Sequence, residues 1–405
     1  MLNTPKSLRL QIAIFGRVNA GKSSFLNLVT GQEISITSNI AGTTTDVVEK
    51  AQELLPLGPV LWLDTAGFGD DTQLAKKRLE KTIKVFERAD IAVLVCEGDK
   101  IGEEEKQIIA LAEQQKTPLL KIYNKADKYK ISATDGLIVN STNTASRDKV
   151  LTDLKAALLK ICPEDFINNR SLAGDLAPEH STIVMLIPID YEAPKGRLIM
   201  PQVQAIRDCL DHNQNVLAVK ENDYLSALQN FKYPPALVIC DSQIVDKMVK
   251  ETPANIKCTT FSILMARFKG DLRKMAEGAA VIDKLQDGDR ILIAESCTHH
   301  AVEDDIGRVK IPNWLRQKTG KNLQIEHVSG CDFATNLSDY KLVIQCGGCT
   351  INRREILSRI YKCEQAGVPI TNYGICISEL KGVLKRVLEP FDEAYPAYLK
   401  AKSSL

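Results

Sequence analysis

The chain has almost no net charge, no long apolar run, no internal repeat and no low-complexity tract, and its cysteines are sparse. Each shortage excludes a class of protein. Lysine and arginine number 52 against 51 aspartates and glutamates, a net charge of +1 over 405 residues. No global field therefore draws the chain onto nucleic acid or an anionic membrane surface. The apolar start over residues 8–15 is too short for a signal or membrane segment and runs directly into a glycine-rich turn. Eleven cysteines are too few for a disulfide scaffold, their number is odd, and two of them form a CxxC pair. Free thiols or metal ligands in a reducing cytoplasm are the expectation, with no membrane and no nucleic acid as partner. The remainder is ordinary: 44% hydrophobic and 25% charged residues, enough chain for two or three globular domains.

Strand-like runs at Leu10–Phe15, Val60–Leu63, Ile91–Cys96, Leu119–Tyr123 and Leu137–Val139 alternate with helical periodicity, as at Leu74–Arg88 and Val150–Ile161. That alternation predicts an α/β domain over 1–170 with a mostly parallel sheet. Pro163, the polar stretch Asn168–Arg170, Gly174 and Pro178 mark its end. A second unit, 171–267, opens with the strand Ile183–Ile187. It continues with a helix near Gln202–Leu210 and strands at Val216–Val219 and Ala236–Cys240. Its apolar faces carry no evident chemistry, which suits packing or subunit contact. The third unit, 268–405, reads as a helix over Leu272–Leu285 and strands at Arg290–Ala294 and Lys341–Ile344 that run toward Cys297 and Cys346. In open α/β sheets ligands gather at the carboxyl ends of strands.

The first domain carries a nucleotide site. Gly16-Arg-Val-Asn-Ala-Gly21-Lys22-Ser23 follows a strand and fits the phosphate-loop pattern. Backbone N–H groups over Gly16, Asn19, Ala20, Gly21, Lys22, Ser23 and Ser24 would cradle phosphates, Lys22 would reach the β/γ oxygens, and Ser23 would ligate Mg²⁺. Asp64-Thr-Ala-Gly67 follows the Val60–Leu63 strand, where a carboxylate can hold Mg²⁺ through water and Gly67 can sense the γ-phosphate. Thr44 is expected to add a hydroxyl to the Mg²⁺. Asn124-Lys125-Ala-Asp127 places a carboxylate acceptor where the two guanine N–H donors would lie, a pattern adenine lacks, so GTP/GDP is the nucleotide expected. Ser141 and Thr142 are the last base-contacting turn in this reading. Lys22, Asn19, Thr44 and Gly67 are the residues expected to serve hydrolysis. These motifs resemble the translation-factor-related class of small GTPases, most closely its Era and tRNA-modification (MnmE-type) branches. The resemblance implies that Asn19 helps bind K⁺ in place of an arginine finger. Phe68 stands where Ras-type enzymes carry the water-orienting glutamine, which implies slow hydrolysis unless an ion or another group supplies the charge.

GTP chemistry has no use for clustered thiols, yet Cys297-Thr-His299 and Cys346-Gly-Gly-Cys349 stand in the third unit. Sulfurs at i and i+3 can meet one metal, as iron–sulfur or as zinc; three cysteines with His299 would satisfy zinc equally. Taken with the GTPase motifs, this cysteine pattern resembles the FeFe-hydrogenase maturation GTPase (HydF) family. That family joins a P-loop GTPase domain, an α/β dimerisation domain and an α/β iron–sulfur cluster-binding domain with a CxH…HCxxC motif. The resemblance implies a 4Fe–4S cluster on Cys297, Cys346 and Cys349. Gln345 stands where the family has histidine, so the fourth position falls to His299, to a carboxylate of Glu303-Asp304-Asp305, or to an exchangeable ligand. It also implies a homodimer that carries a transient di-iron precursor, receives it from two radical-SAM maturases and delivers it to the immature FeFe-hydrogenase. Two other readings remain open: an Era-like GTPase of RNA or ribosome maturation with structural zinc, and a redox-sensing GTPase with a reversible Cys346–Cys349 disulfide. Cys331 and Cys376 follow strands and are spare candidate ligands. Cys96, Cys162, Cys209, Cys240, Cys258 and Cys363 read as small core hydrophobes.

Overall fold

The computed structural model describes residues 4–31, 48–65, 75–163, 166, 170–188, 198–296, 305–330, 333–334 and 336–404. The chain forms two compact units, Met1–Asn169 and Arg170–Leu405.

The first unit runs β1 (Leu10–Phe15), α1 (Lys22–Thr30), β2 (Val48–Leu54), β3 (Gly58–Asp64), α2 (Ala75–Arg88), β4 (Ile91–Glu97), α3 (Glu103–Gln114), β5 (Leu119–Asn124), β6 (Gly136–Ile138) and α4 (Arg147–Ile161). Its six strands lie in the order β2-β3-β1-β4-β5-β6. Only β2 pairs antiparallel in this sheet. Every residue of β1 is buried, as a parallel strand covered on both faces requires. Successive side chains alternate between two cores. Leu10, Ile12 and Ile14 join Phe25, Trp62 and Leu154 on one face, while Ala13 and Phe15 join Leu63, Phe86 and Leu94 on the other. The Phe15 and Phe86 rings stack at 4.4 Å. This packing fixes the carboxyl ends of β1, β3 and β5, where the predicted nucleotide motifs begin.

The second unit opens with β7 (Thr182–Leu186), α5 (Met200–Asp211), β8 (Asn215–Val219), α6 (Tyr224–Gln229), β9 (Leu237–Cys240), α7 (Val245–Glu251) and β10 (Lys257–Thr260). These strands form a parallel sheet ordered β10-β9-β7-β8. Then follow α8 (Phe261–Lys269), α9 (Leu272–Ala280), β11 (Arg290–Ala294), α10 (Ile311–Thr319), β12 (Gln324–Val328), β13 (Leu342–Gln345), α11 (Arg353–Gln365), β14 (Ile370–Asn372), α12 (Tyr373–Leu380), α13 (Leu384–Leu388) and α14 (Ala394–Ser403). The second sheet, β12-β11-β13-β14, is also parallel throughout. One continuous apolar core serves both sheets. Helix α8 starts where Thr260 Oγ1 accepts the Ile263 N–H at 3.2 Å, a side-chain N-cap. Its Ile263, Leu264, Met265 and Ala266 are all buried, so it is an interior helix with no solvated stripe.

Two expectations change. The helix expected over Leu272–Leu285 keeps α geometry only to Ala280 and tightens into a 3₁₀ turn over Val281–Lys284. The apolar period continues through that turn, since Ile282 and Leu285 remain buried. On α9, a Cβ at Gly278 would lie 2.2 Å from the Ile370 carbonyl oxygen, so only glycine lets the helix ride this close to β14. The second change concerns Cys376, which is not a strand-end thiol. It sits inside α12, fully buried, where burial pushes its thiol well up. It is a core residue and no spare ligand.

Candidate nucleotide site and cysteine loop

In the first unit the loop between β1 and α1 is shaped by backbone that few side chains permit. Gly16 has φ +152° and a Cβ there would lie 2.4 Å from the Val95 carbonyl oxygen; Gly21 has φ +95° and a Cβ would lie 2.2 Å from Asn124 Nδ2. Asn19 also takes the left-handed region, at φ 63°, and is exposed at the outer rim of the loop. Asparagine tolerates that conformation better than most residues. Lys22 Nζ donates to the carbonyls of Gly16 at 3.0 Å and Arg17 at 2.9 Å, which lays the buried ammonium across the turn. Burial pulls its pKa down, against the charges of Asp64 and Glu104.

Ser23 Oγ donates to Asp64 Oδ2 at 3.3 Å, so the two expected Mg²⁺ ligands already meet. The other oxygen, Asp64 Oδ1, is buried without a hydrogen-bond partner. Burial pushes the Asp64 carboxyl up, with Lys22 and Ser23 pulling against it. An orphaned carboxylate oxygen beside a serine hydroxyl is a donor set that suits a hard, oxygen-seeking divalent ion such as Mg²⁺.

Asn124 joins the base side of the site to the phosphate side. Its Nδ2 donates to the Ala20 carbonyl at 3.0 Å, and its Oδ1 accepts from Ser141 N at 3.1 Å and Ser141 Oγ at 2.8 Å. The side chain is 1% exposed, so all three bonds are made away from water. Lys125 follows at φ 62°, paired with Glu97 at 2.7 Å. Asp127 and Thr142 are exposed, and Thr142 Oγ1 donates to Asn140 at 2.7 Å. Ser24 lies exposed in the first turn of α1. Arg17, from the loop itself, pairs with the buried Glu105 of α3 at 2.6 Å, a link that sequence spacing did not signal. Thr44, Gly67 and Phe68 lie outside the described residues.

In the second unit Cys346 stands immediately after β13, an inner strand of its sheet. Its Sγ takes the backbone N–H of Ser296 at 3.1 Å and lies 3.2 Å from Ser296 Oγ. Ser296 follows β11, so the carboxyl ends of two neighbouring strands meet at this sulfur. Cys349 is exposed three residues on. Between them Gly348 takes φ 62°, and a Cβ there would meet Ile356 Cδ1 at 2.8 Å. Cys297, His299, Glu303, Asp304 and Cys331 lie outside the described residues. Among the described residues no group of three or more His, Cys, Asp or Glu side chains could hold a metal ion. Asp305 is buried and caps the next helical turn by accepting the Arg308 N–H at 2.7 Å. Gln345 is 2% exposed, paired through its backbone with β11 and β14, and its Oε1 has no partner.

Two contributors escaped sequence reasoning. Ser296 offers no motif of its own. Lys269, at the last turn of α8, is 1% exposed and donates to the carbonyls of Gly348 at 3.1 Å, Cys349 at 3.4 Å and Ile351 at 3.0 Å. In the sequence it reads as an ordinary lysine near a helix C-terminus. The one available signal was its place at the end of a largely apolar helix followed directly by Gly270.

A phosphate loop at the head of a six-stranded α/β sheet, in the segment that a GTPase family model matches, defines a P-loop GTPase domain. The model of the 50S ribosome-binding GTPase family matches residues 11–125. The chain belongs to the hydrogen maturase F family: that family's dimerization domain matches residues 172–270 and its tetramerization domain residues 273–390, together more than half of the chain. Curated relatives align with the GTPase region. The GTPase Der of Fusobacterium nucleatum is 30% identical over 167 residues, 39% of this chain and 35% of Der. The tRNA modification GTPase MnmE of Caldicellulosiruptor saccharolyticus is 31% identical over 163 residues, 38% of this chain and 35% of MnmE. The chain thus spans about a third of these relatives. Among solved structures, Aquifex aeolicus Era bound to GDP·AlF4⁻ matches at 17% identity over 55% of this chain and 98% of that one, with a TM-score of 0.31. No helix among the described residues is long and apolar enough to cross a membrane.

Proposed function

We propose that this chain is a cytoplasmic GTPase and iron–sulfur scaffold that carries the di-iron precursor of the FeFe-hydrogenase active site and delivers it to the immature enzyme. The observation that carries the reading is the coexistence, in one chain of the hydrogen maturase F family, of a formed phosphate loop and a strand-end thiol pair. In this reading Lys22, Ser23 and Asp64 hold GTP·Mg²⁺ with Thr44 and Gly67, and Asp127 reads guanine. Asn19 helps hold K⁺ near the phosphates, supplying the charge that the absent glutamine cannot.

A 4Fe–4S cluster would sit on Cys297, Cys346 and Cys349. Support for the fit comes from the described pair: Cys346 Sγ accepts a backbone N–H, the kind of contact that favours thiolate and tunes cluster potential. The cluster would offer a coordination position to which cargo attaches. The protein's own groups would bind the cysteines' loop, exclude competing ligands and, with Gln345 no iron ligand, leave the fourth position to His299 or an exchangeable group. Two radical-SAM maturases would act upstream, and the chain would work as a homodimer or larger assembly.

Co-production with an FeFe-hydrogenase in a host that has the other two maturases but lacks its own maturase F tests this directly. Hydrogen evolution that depends on both Lys22 and Cys346 is expected. Full hydrogenase activity without this chain, or with Cys346→Ser, would contradict the proposal.

A further inference from the structure

We propose that Lys269 is the positioning residue of the cysteine loop. Its Nζ donates to the carbonyls of the turn that spaces Cys346 and Cys349, and so holds that turn in place before a soft metal arrives. The inference rests on the reading of those cysteines as metal ligands.

A lysine side chain is long enough to carry its charge to water, and burying it is costly unless its donors are met. Lys269 instead stays 1% exposed at the end of an apolar helix. An ammonium has three N–H donors and no acceptor. Three loop carbonyls lie within reach: Gly348 at 3.1 Å, Cys349 at 3.4 Å and Ile351 at 3.0 Å. Three donors thus meet three acceptors, and no N–H of the buried Nζ goes unmatched. Contacts also run the opposite way, for Arg353 Nη1 donates to Phe268 at 3.2 Å and Gly270 at 3.0 Å, the residues flanking Lys269. On its other side the loop is tied to the end of β11, where Thr350 Oγ1 donates to the Ser296 carbonyl at 3.3 Å and Ser296 N donates to Cys346 Sγ.

The loop is therefore fastened between two anchors before any metal arrives. One of them is a full charge. An amide side chain has only two N–H donors and would leave one of the three carbonyls unmet, so the third donor of the ammonium closes the clamp. The anchor comes from the segment that the dimerization-domain model matches, so the thiol pair is completed by a residue outside the domain that contains it.

The test uses the full-length apo chain with Co²⁺ alone, read by sulfur-to-cobalt absorption, and the midpoint potential of the anaerobically reconstituted cluster. Lys269→Met should bind Co²⁺ about tenfold more weakly, the loss expected for one charge-assisted contact. Its cluster potential should move to more negative values, because a positive charge no longer favours the reduced form. Lys269→Arg should recover most of both. Unchanged affinity and potential in Lys269→Met would overturn the inference, as would an arginine variant no better than methionine. Should Lys269→Met fail to unfold cooperatively, amine labelling of the wild-type chain decides. Lys269 should resist modification, and labelling at the rate of the exposed Lys400 overturns the clamp. A wild-type chain that takes neither Co²⁺ nor iron defeats the reading of the cysteines instead, and the labelling result still stands apart from it.

Discussion

The phosphate loop of the first unit and the cysteine loop of the second are built on the same plan. Each leaves the carboxyl end of an inner strand that is parallel to both its neighbours, β1 in one case and β13 in the other. Each turns through a glycine at positive φ. Each is laid over a buried lysine whose Nζ donates to the loop's own carbonyls. The difference is where that lysine comes from. Lys22 lies five and six residues from the carbonyls it holds, whereas Lys269 lies 79 to 82 residues from its own. A loop that contains its anchor is a motif; a loop anchored from elsewhere is visible only once the chain is folded.

Exchanging the two lysines in turn is the strongest way to break that comparison. Lys22→Met should lower single-turnover GTP hydrolysis by about 10³-fold, the upper range for losing one preorganised donor, while bound iron stays at the wild-type level. A Lys22 variant that loses iron in proportion would mean the two loops are not independent sites.

Asn124 sharpens the comparison, because it is a distant clamp on the phosphate loop. Asn124→Ala strands the Ala20 carbonyl and both Ser141 donors in a buried place. We expect a loss of about 3 kcal/mol in the stability of the first unit, read by denaturant unfolding, with weaker nucleotide binding. A loss under about 0.5 kcal/mol would show that water replaces those bonds at little cost.

Asp127 separates base reading from phosphate holding. Asp127→Asn should cost roughly 1.5–3 kcal/mol of guanine preference, about 10- to 150-fold in competition against a nucleotide lacking the two donors. Unchanged GTP affinity would mean the carboxylate does not face the base. The smallest effect belongs to Asn19. Turnover should run several-fold faster in K⁺ than in Na⁺, and Asn19→Ala should erase that difference while leaving GTP binding largely intact. Equal wild-type rates in both salts would remove K⁺ from the account.

The same contrast explains what was legible in the sequence. The GTPase motifs were readable because their chemistry is local: glycine, lysine and serine act within one turn, and Asn124 is recognisable from its own short segment even though its partners are distant. The inner strands were readable because double burial makes them continuous apolar runs. Strand β2 reads Val-Glu-Lys-Ala-Gln-Glu-Leu with mostly unburied positions, and β12 reads Gln-Ile-Glu-His-Val at the opposite kind of edge, so neither carries such a run. Strand β14 has only three residues. Cys376 misled because a thiol just past a strand looks like a strand-end ligand, and only the turn of α12 reveals that it points into the core. Ser296 acts through its backbone and hydroxyl, and Lys269 through its Nζ, at a loop far along the chain, and no periodicity records that.

The central claim is that a GTPase domain and a thiolate iron site share this chain. Iron and acid-labile sulfide per chain, after anaerobic reconstitution, test it most directly when wild type is set beside Cys346→Ser and Cys349→Ser. The account predicts about four irons and four sulfides in the wild type, and loss of most of both in each variant. Zinc in place of iron, or serine variants that keep their iron, would contradict it.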